Sequence, residues 1–195
     1  YSDSIVYLIE PDVSPMKDFF NKLKMVSEEI RKEIRKTSQF TATIGIGSYK
    51  ESVINIYTSF IEAQKAVRIG RTIYGGNNTH VYDDLGVYRM LFDISQGEEA
   101  NCFCSQYLEK LIDYDIKNNC NYMGTLKHLV RNDWNLKKTA EDLFVHYNTM
   151  KYRFSKIIEI INLDLNNREN KFMIELCLKL MDISKQYSLY MKTNI

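Results

Sequence analysis

Apolar positions follow two different rhythms along this chain. The opening run Tyr1-Ser2-Asp3-Ser4-Ile5-Val6-Tyr7-Leu8-Ile9 alternates poorly and predicts a buried strand. Pro11 and Pro15 then mark a turn into a helix. The spacing predicts that helix over roughly Met16 to Lys36, with Phe19, Phe20, Leu23, Val26, Ile30 and Ile34 on one stripe. Phe40 to Gly47 reads as a second strand, with Ile44 and Ile46 on one face. Val53 to Ile69 reads as a second amphipathic helix, because Ile54, Tyr57, Ile61 and Ala66 recur at helical spacing. Gly75-Gly76-Asn77-Asn78 is a turn, His80-Val81-Tyr82 a short strand, and Gly86 to Ile94 a short helix. This order of strand and helix implies an α/β layer. Three strands make a meagre sheet, so the expectation is a fragment with at least one more strand upstream.

The rhythm changes at Ser95-Gln96-Gly97-Glu98-Glu99, a polar break that contains glycine. From Asn101 onward the pattern is helical throughout. Helices are predicted at Cys104–Asn118, Gly124–Arg131, Leu136–Leu143, Tyr147–Ile161 and Glu169–Gln186, with Asn162 to Asn167 as a connecting loop. The reading is therefore α+β, or mixed. An incomplete α/β domain over residues 1–97 precedes an all-α domain over residues 98–195.

Composition narrows the classes. The chain has 195 residues, 45% apolar and 26% charged, with 2 prolines and 8 glycines, which fits two small globular domains and excludes disorder or low complexity. No apolar run approaches the ~18 residues a membrane helix needs. Four cysteines (Cys102, Cys104, Cys120, Cys177) form no C-x-x-C pair, and His80, His128 and His146 are not spaced with them as zinc ligands. They read as free thiols in a reducing cytoplasm, with Cys177 in the core. Neither a metal site nor a nucleophilic triad is expected. A formal net charge of +1 gives no licence for nucleic-acid binding.

That average hides a local excess. Residues 137–156 hold five basic side chains and two acidic ones, a net of +3. In the same stretch Leu136, Ala140 and Leu143 mark one face of a two-turn helix. A short break follows, and then a helix with Met150, Phe154, Ile157, Ile158 and Ile161 on its apolar stripe. This is the pattern of a helix-turn-helix at about 136–160, with small Ala140 letting the two backbones approach. At about 100° per residue, Asn148, Thr149, Tyr152, Ser155 and Lys156 fall on the solvent face, flanked by Lys151 and Arg153. Asn148 can pair with adenine and the Thr149 methyl can meet a thymine methyl. Lys137, Lys138, Lys151, Arg153, Lys156 and the Tyr152 hydroxyl can reach phosphates. His146 either touches DNA or holds the turn. On periodicity and charge alone, a helical hairpin with a solvated basic face fits equally well.

The string Thr-Ala-x-x-Leu-x-Val-His-x-Asn-Thr-Met-x-Tyr-Arg-Phe-x-Lys-Ile, Thr139 to Ile157, resembles the C-terminal helix-turn-helix of the PucR/CdaR family of bacterial transcription regulators. The resemblance extends over about 85 residues. It takes in Tyr107–Leu111, Thr125-Leu126, the loop Asn162-Leu163-Asp164-Leu165-Asn166-Asn167 and the helix Phe172 to Leu180. It departs where Tyr147 replaces a usual basic residue, where Met150 replaces Leu, and where Trp134 replaces a usual Gly. The resemblance implies a sequence-specific regulator that binds double-stranded DNA through a recognition helix at about 147–161, acts in the cytoplasm as a homodimer and carries no cofactor. It also implies a small-molecule effector bound by an upstream domain.

In the first half, Thr43-Ile44-Gly45-Ile46-Gly47, Ala63 to Ala66 and Val81 to Tyr88 resemble the GGDEF-like domain that precedes this motif in the same family. In the nucleotidyl cyclases of that fold a glycine-rich acidic hairpin would fall near Tyr1 to Ile5. Here it reads Tyr-Ser-Asp-Ser-Ile. Without glycines the backbone cannot closely approach a phosphate, and Asp3 alone is a poor Mg²⁺ site. The expectation is a catalytically inactive domain. The rivals are a working cyclase or nucleotide sensor, and a protein-interaction scaffold.

Overall fold

The computed structural model describes residues 4–11 and 15–184. The chain falls into two compact units, Tyr1–Gly86 and Val87–Ile195.

In the first unit, α1 (Met16–Thr37) leads to β1 (Ile44–Ile46), and α2 (Ile56–Tyr74) leads to β2 (Thr79–Val81). The two strands pair in parallel, Ile44 beside Thr79 and Ile46 beside Val81. Parallel neighbours require a crossover, and α2 supplies it. Helix α1 carries Asp18 in its first turn and Arg35 and Lys36 in its last, a placement the helix dipole favours. Two glycines let α2 lie directly on β1. A Cβ at Gly45 would sit 2.1 Å from the Ala63 carbonyl oxygen, and one at Gly47 2.1 Å from that of Ser59. The strand therefore meets the helix backbone to backbone.

Of the opening strand expected at Tyr1–Ile9, the described part, residues 4–9, is not formed. Residues 4–10 have no regular structure and are exposed, while Tyr1–Asp3 lie outside the described residues. A strand exists only where its backbone groups meet a neighbour, and the described sheet is β1 and β2 alone. The second strand is also shorter than Phe40–Gly47, because residues 40–43 run beyond its partner. Helix α1 is where the period placed it, yet of its predicted stripe only Phe19 is buried; Val26 and Ile30 remain 42% and 41% exposed. A two-stranded sheet is too narrow to cover them.

The second unit is helical: α3 (Tyr88–Ile94), α4 (Glu98–Asn118), α5 (Tyr122–Arg131), α6 (Leu136–Asp142), α7 (Tyr147–Ile161) and α8 (Arg168–Ile183). Helix α3, which closes the first half in the sequence reading, packs here against α8, with the Lys179 ammonium 4.9 Å from the Tyr88 ring centre. Its core is continuous. Leu108 and Leu111 of α4, Leu126 and Leu129 of α5, Met150 and Ile157 of α7, and Ile174 and Cys177 of α8 are all buried to 1% exposure or less. Leu165 of the loop before α8 fills the same core. Helices α5 to α8 each start at a side-chain cap. The Asp115 carboxylate accepts from the Tyr122 and Met123 N–H groups, and Asn167 accepts from Glu169 and Asn170. Cys104 and Cys177 are buried free thiols, whereas Cys102 and Cys120 are exposed. Among the described residues no His/Cys/Asp/Glu cluster could hold a metal, and no helix is long and apolar enough to cross a membrane.

Candidate nucleic-acid interface

Helices α5, α6 and α7 form a three-helix cluster, and α6 and α7 are its helix-turn-helix. Helix α6 starts at Asn135, whose side-chain oxygen accepts from the Lys138 N–H at 3.0 Å. Thr139 is buried and donates its hydroxyl proton to the Asn135 carbonyl, so it ties α6 to its own start. Buried Ala140 faces inward, as the close approach of two helices requires. Asn132, at the end of α5, donates to Asp142 at 2.6 Å and so ties α5 to the far end of α6.

The turn into α6 passes through Asp133 and Trp134, both left-handed at φ of 52° and 62°. Glycine is the residue that adopts this backbone without penalty. Trp134 offsets the strain through its side chain: the indole N–H donates to Glu175 of α8 at 2.6 Å, and the Lys171 ammonium lies 5.4 Å from its ring. The tryptophan thus fastens the motif to α8.

The turn out of α6 is a Schellman motif. The Val145 N–H donates to the Ala140 carbonyl and the Phe144 N–H to that of Glu141. Phe144 occupies its left-handed position at φ 53°, a conformation that costs a non-glycine residue about 1–2 kcal/mol. His146 then caps α7, its Nδ1 accepting from the Asn148 N–H at 3.2 Å. With Nδ1 as acceptor, the ring proton sits on Nε2, a donor on the exposed side. Of the two readings of His146, the turn-holding one has this geometry behind it.

Helix α7 turns Met150, Ile157 and Ile161 into the core. Its opposite face is exposed at Asn148, Thr149, Lys151, Tyr152 and Ser155. Tyr147 stands at one edge, with the Lys151 ammonium 5.8 Å from its ring. Lys137 and Lys138 are exposed at the start of α6. The outer face is thus neutral to basic over its N-terminal half. Glu159, the acidic residue of α7, lies toward the other end. The helix dipole adds a partial positive charge at the same N-terminal end.

Two predicted contacts stand differently from their expected placement. Arg153 is half-buried and donates to the Thr125 hydroxyl of α5 at 3.4 Å. Lys156 reads as solvent-facing on a helical wheel. In the structure its side chain is only 23% exposed, pairs with Glu159 at 2.8 Å and lies 5.7 Å from the Tyr114 ring of α4. Both cations sit about 60° or more off the outward line, close enough to neighbouring helices to be captured by them. Sequence reasoning passed over one residue here. Phe144 is 97% exposed beside the start of α7, whereas Ser155 is exposed on the outer face, as its angle predicted. The signal for Phe144 was a large apolar residue where a Schellman turn normally has glycine.

Residues 122–180 match the family model described as the PucR C-terminal helix-turn-helix domain. The chain is 30% identical to the proline-responsive transcriptional activator PutR of Bacillus subtilis, over 71% of this chain and 34% of that protein. It is 26% identical to the DNA-binding transcriptional activator AdeR of the same organism, over 86% of this chain and 40% of that protein. Against the carbohydrate diacid regulator of Escherichia coli it is 25% identical, over 78% of this chain and 39% of that protein. The matched region thus spans between a third and two-fifths of these relatives. No solved structure matches the chain.

Proposed function

We propose that this chain is the DNA-binding part of a PucR-type transcription regulator and that α7 reads double-stranded DNA in the major groove. The observation that carries this is the asymmetry of α7. Its N-terminal half exposes Asn148, Thr149 and Tyr152 between lysines, while Met150 and Ile157 anchor its other face. That is the end a recognition helix presents to base edges. Lys137, Lys138, Lys151 and the hydroxyls of Tyr147 and Tyr152 take phosphates. His146 sets the first turn and offers Nε2–H. Asn148 and Thr149 supply base contacts. Arg153 and Lys156 contribute mainly by fixing the helix against α5 and α4.

One such motif covers few base pairs, so a symmetric homodimer on a two-part site follows. The names of the relatives support a transcription regulator; we read it as one that works in the cytoplasm without enzymatic activity. We read the first unit, residues 1–86, as a degenerate GGDEF-like domain, on the support of the parallel β1-α2-β2 unit, and residues 87–195 as the DNA-binding domain, so that α3 moves across the 97/98 boundary read from the sequence. The small-molecule effector belongs to sequence outside this chain.

Selection of bound duplexes from a random pool tests this reading directly. A defined motif in two half-sites is the expected outcome. Asn148→Ala then relaxes preference at one base position, at about 1–3 kcal/mol. Lys137→Gln and Lys138→Gln instead flatten the dependence of affinity on salt. Recovery of no enriched sequence overturns the reading.

A further inference from the structure

Phe144 is poorly placed for the fold alone. Its ring is 97% exposed, so it buries no apolar surface. Its backbone at φ 53° is one that asparagine or glycine adopts more readily. Other left-handed positions in the same unit show the usual solution. Asn119 and Asn162 end α4 and α7, and Trp134 compensates through its tie to Glu175. Phe144 has no such compensation, and its turn is nonetheless closed by two backbone hydrogen bonds that hold the ring outward.

The ring's neighbourhood says what it faces. Phe144 lies two residues before the cap of α7, at the positive end of that helix. Tyr147 and Lys151 lie in the first turns of α7, Lys137 and Lys138 in the first turn of α6, and Glu141 and Asp142 at the end of α6 just before the ring. An exposed apolar ring in the turn that leads into a helix reading DNA is complementary to a partner that presents apolar groups in its groove. Duplex DNA does so in the major groove through the C5-methyl of thymine, which phenylalanine can contact. We propose that Phe144 is a specificity residue that packs on a thymine methyl at the edge of the site read by α7. This rests on the assignment of α7 as a recognition helix.

The test uses the duplex selected by the parent chain. Phe144→Asn and Phe144→Gly both suit the left-handed turn, so both are expected to fold with a thermal midpoint at or above the parent's. Each should bind the selected duplex about tenfold more weakly. The slope of affinity against salt should not change, because no phosphate contact is lost. Replacing thymines one at a time by deoxyuridine should weaken the parent at one position and leave Phe144→Asn unaffected there. Parent-like affinity in both variants overturns the proposal while leaving the recognition helix intact. So does a deoxyuridine effect that is equal in parent and variant at every position. A parent chain that selects no duplex overturns both.

Discussion

The two units of this chain solve the burial problem differently. In Val87–Ile195 every helix from α4 to α8 contributes side chains to one core, and the loop before α8 adds Leu165. In Tyr1–Gly86 the fully enclosed positions are few. Ala66 and Ile69 of α2 lie against the strands, while Val26 and Ile30 of α1 stay partly in water. The difference teaches what hydrophobic periodicity does and does not guarantee. A stripe gives a helix a face, but only a partner surface turns that face into stability. The helical unit carries its own partners. The described part of the α/β unit has two strands, and its closest packing depends on the absence of side chains at Gly45 and Gly47.

Cutting equivalent apolar positions in the two units gives the largest expected contrast. Met150→Ala opens a cavity at a site with no exposure and should cost the helical unit about 2–5 kcal/mol. Ile30→Ala, on the stripe of α1, should cost under about 1 kcal/mol, since most of that side chain's transfer is never completed. Trp134 is the chain's single tryptophan and lies in the helical unit, so urea unfolding followed by its fluorescence reads Met150→Ala, while hydrogen exchange at the amides of α1 reads Ile30→Ala in the other unit. Equal effects of the two substitutions would break the comparison. Gly45→Ala comes next. Its added methyl meets the Ala63 carbonyl, an overpacking of about 1–3 kcal/mol that should speed hydrogen exchange at β1 and α2 amides. Unchanged exchange would mean that α2 does not rest on β1 as described.

Trp134→Ala follows in size. It loses the tie to Glu175 and the Lys171 contact and keeps the left-handed strain, for about 1–2 kcal/mol in the helical unit. Trp134→Gly loses the same contacts but relieves the backbone, so it should be the more stable of the pair. Far-UV circular dichroism against urea reads both. The reverse order would show that the turn at 133–134 is not strained.

Legibility in the sequence follows the same divide. Helix α7 occupies Tyr147–Ile161, the span its apolar period predicted, because the core that selects it lies within the same hundred residues. The opening run Ile5-Val6-Tyr7-Leu8-Ile9 reads as a strand by composition, but pairing is non-local and no pattern inside the run can supply a neighbour. At the candidate interface, outward positions such as Asn148 and Tyr152 were legible from angle alone. Arg153 and Lys156 were not, because a long cationic side chain at the edge of a stripe goes to whichever neighbour offers an oxygen or a ring. Thr125, Glu159 and Tyr114 are those neighbours, and all but Glu159 come from other helices.

The smallest effect concerns how the thinly covered unit holds the end of β1. Glu62 of α2 accepts from the Ser48 N–H at 3.0 Å and from the Lys50 ammonium at 2.8 Å, with both charged side chains mostly buried. Burial alone would push this carboxyl up; the hydrogen bonds from Lys50 and Ser48 outweigh it and hold the carboxyl below its ordinary value. A group whose folded pKa lies below its unfolded one stabilises the fold above the unfolded value. That contribution is lost as pH falls through the folded value. The α/β unit should therefore lose up to about 1 kcal/mol on acidification from neutrality through the region below pH ~4.5. Glu62→Gln should lose a similar amount at neutral pH and show a flatter acid limb in hydrogen exchange at β1 and α2 amides. Trp134 fluorescence should not register the substitution, because the tie is internal to Tyr1–Gly86. An acid limb in Glu62→Gln as steep as the parent's would place the β1 anchor elsewhere.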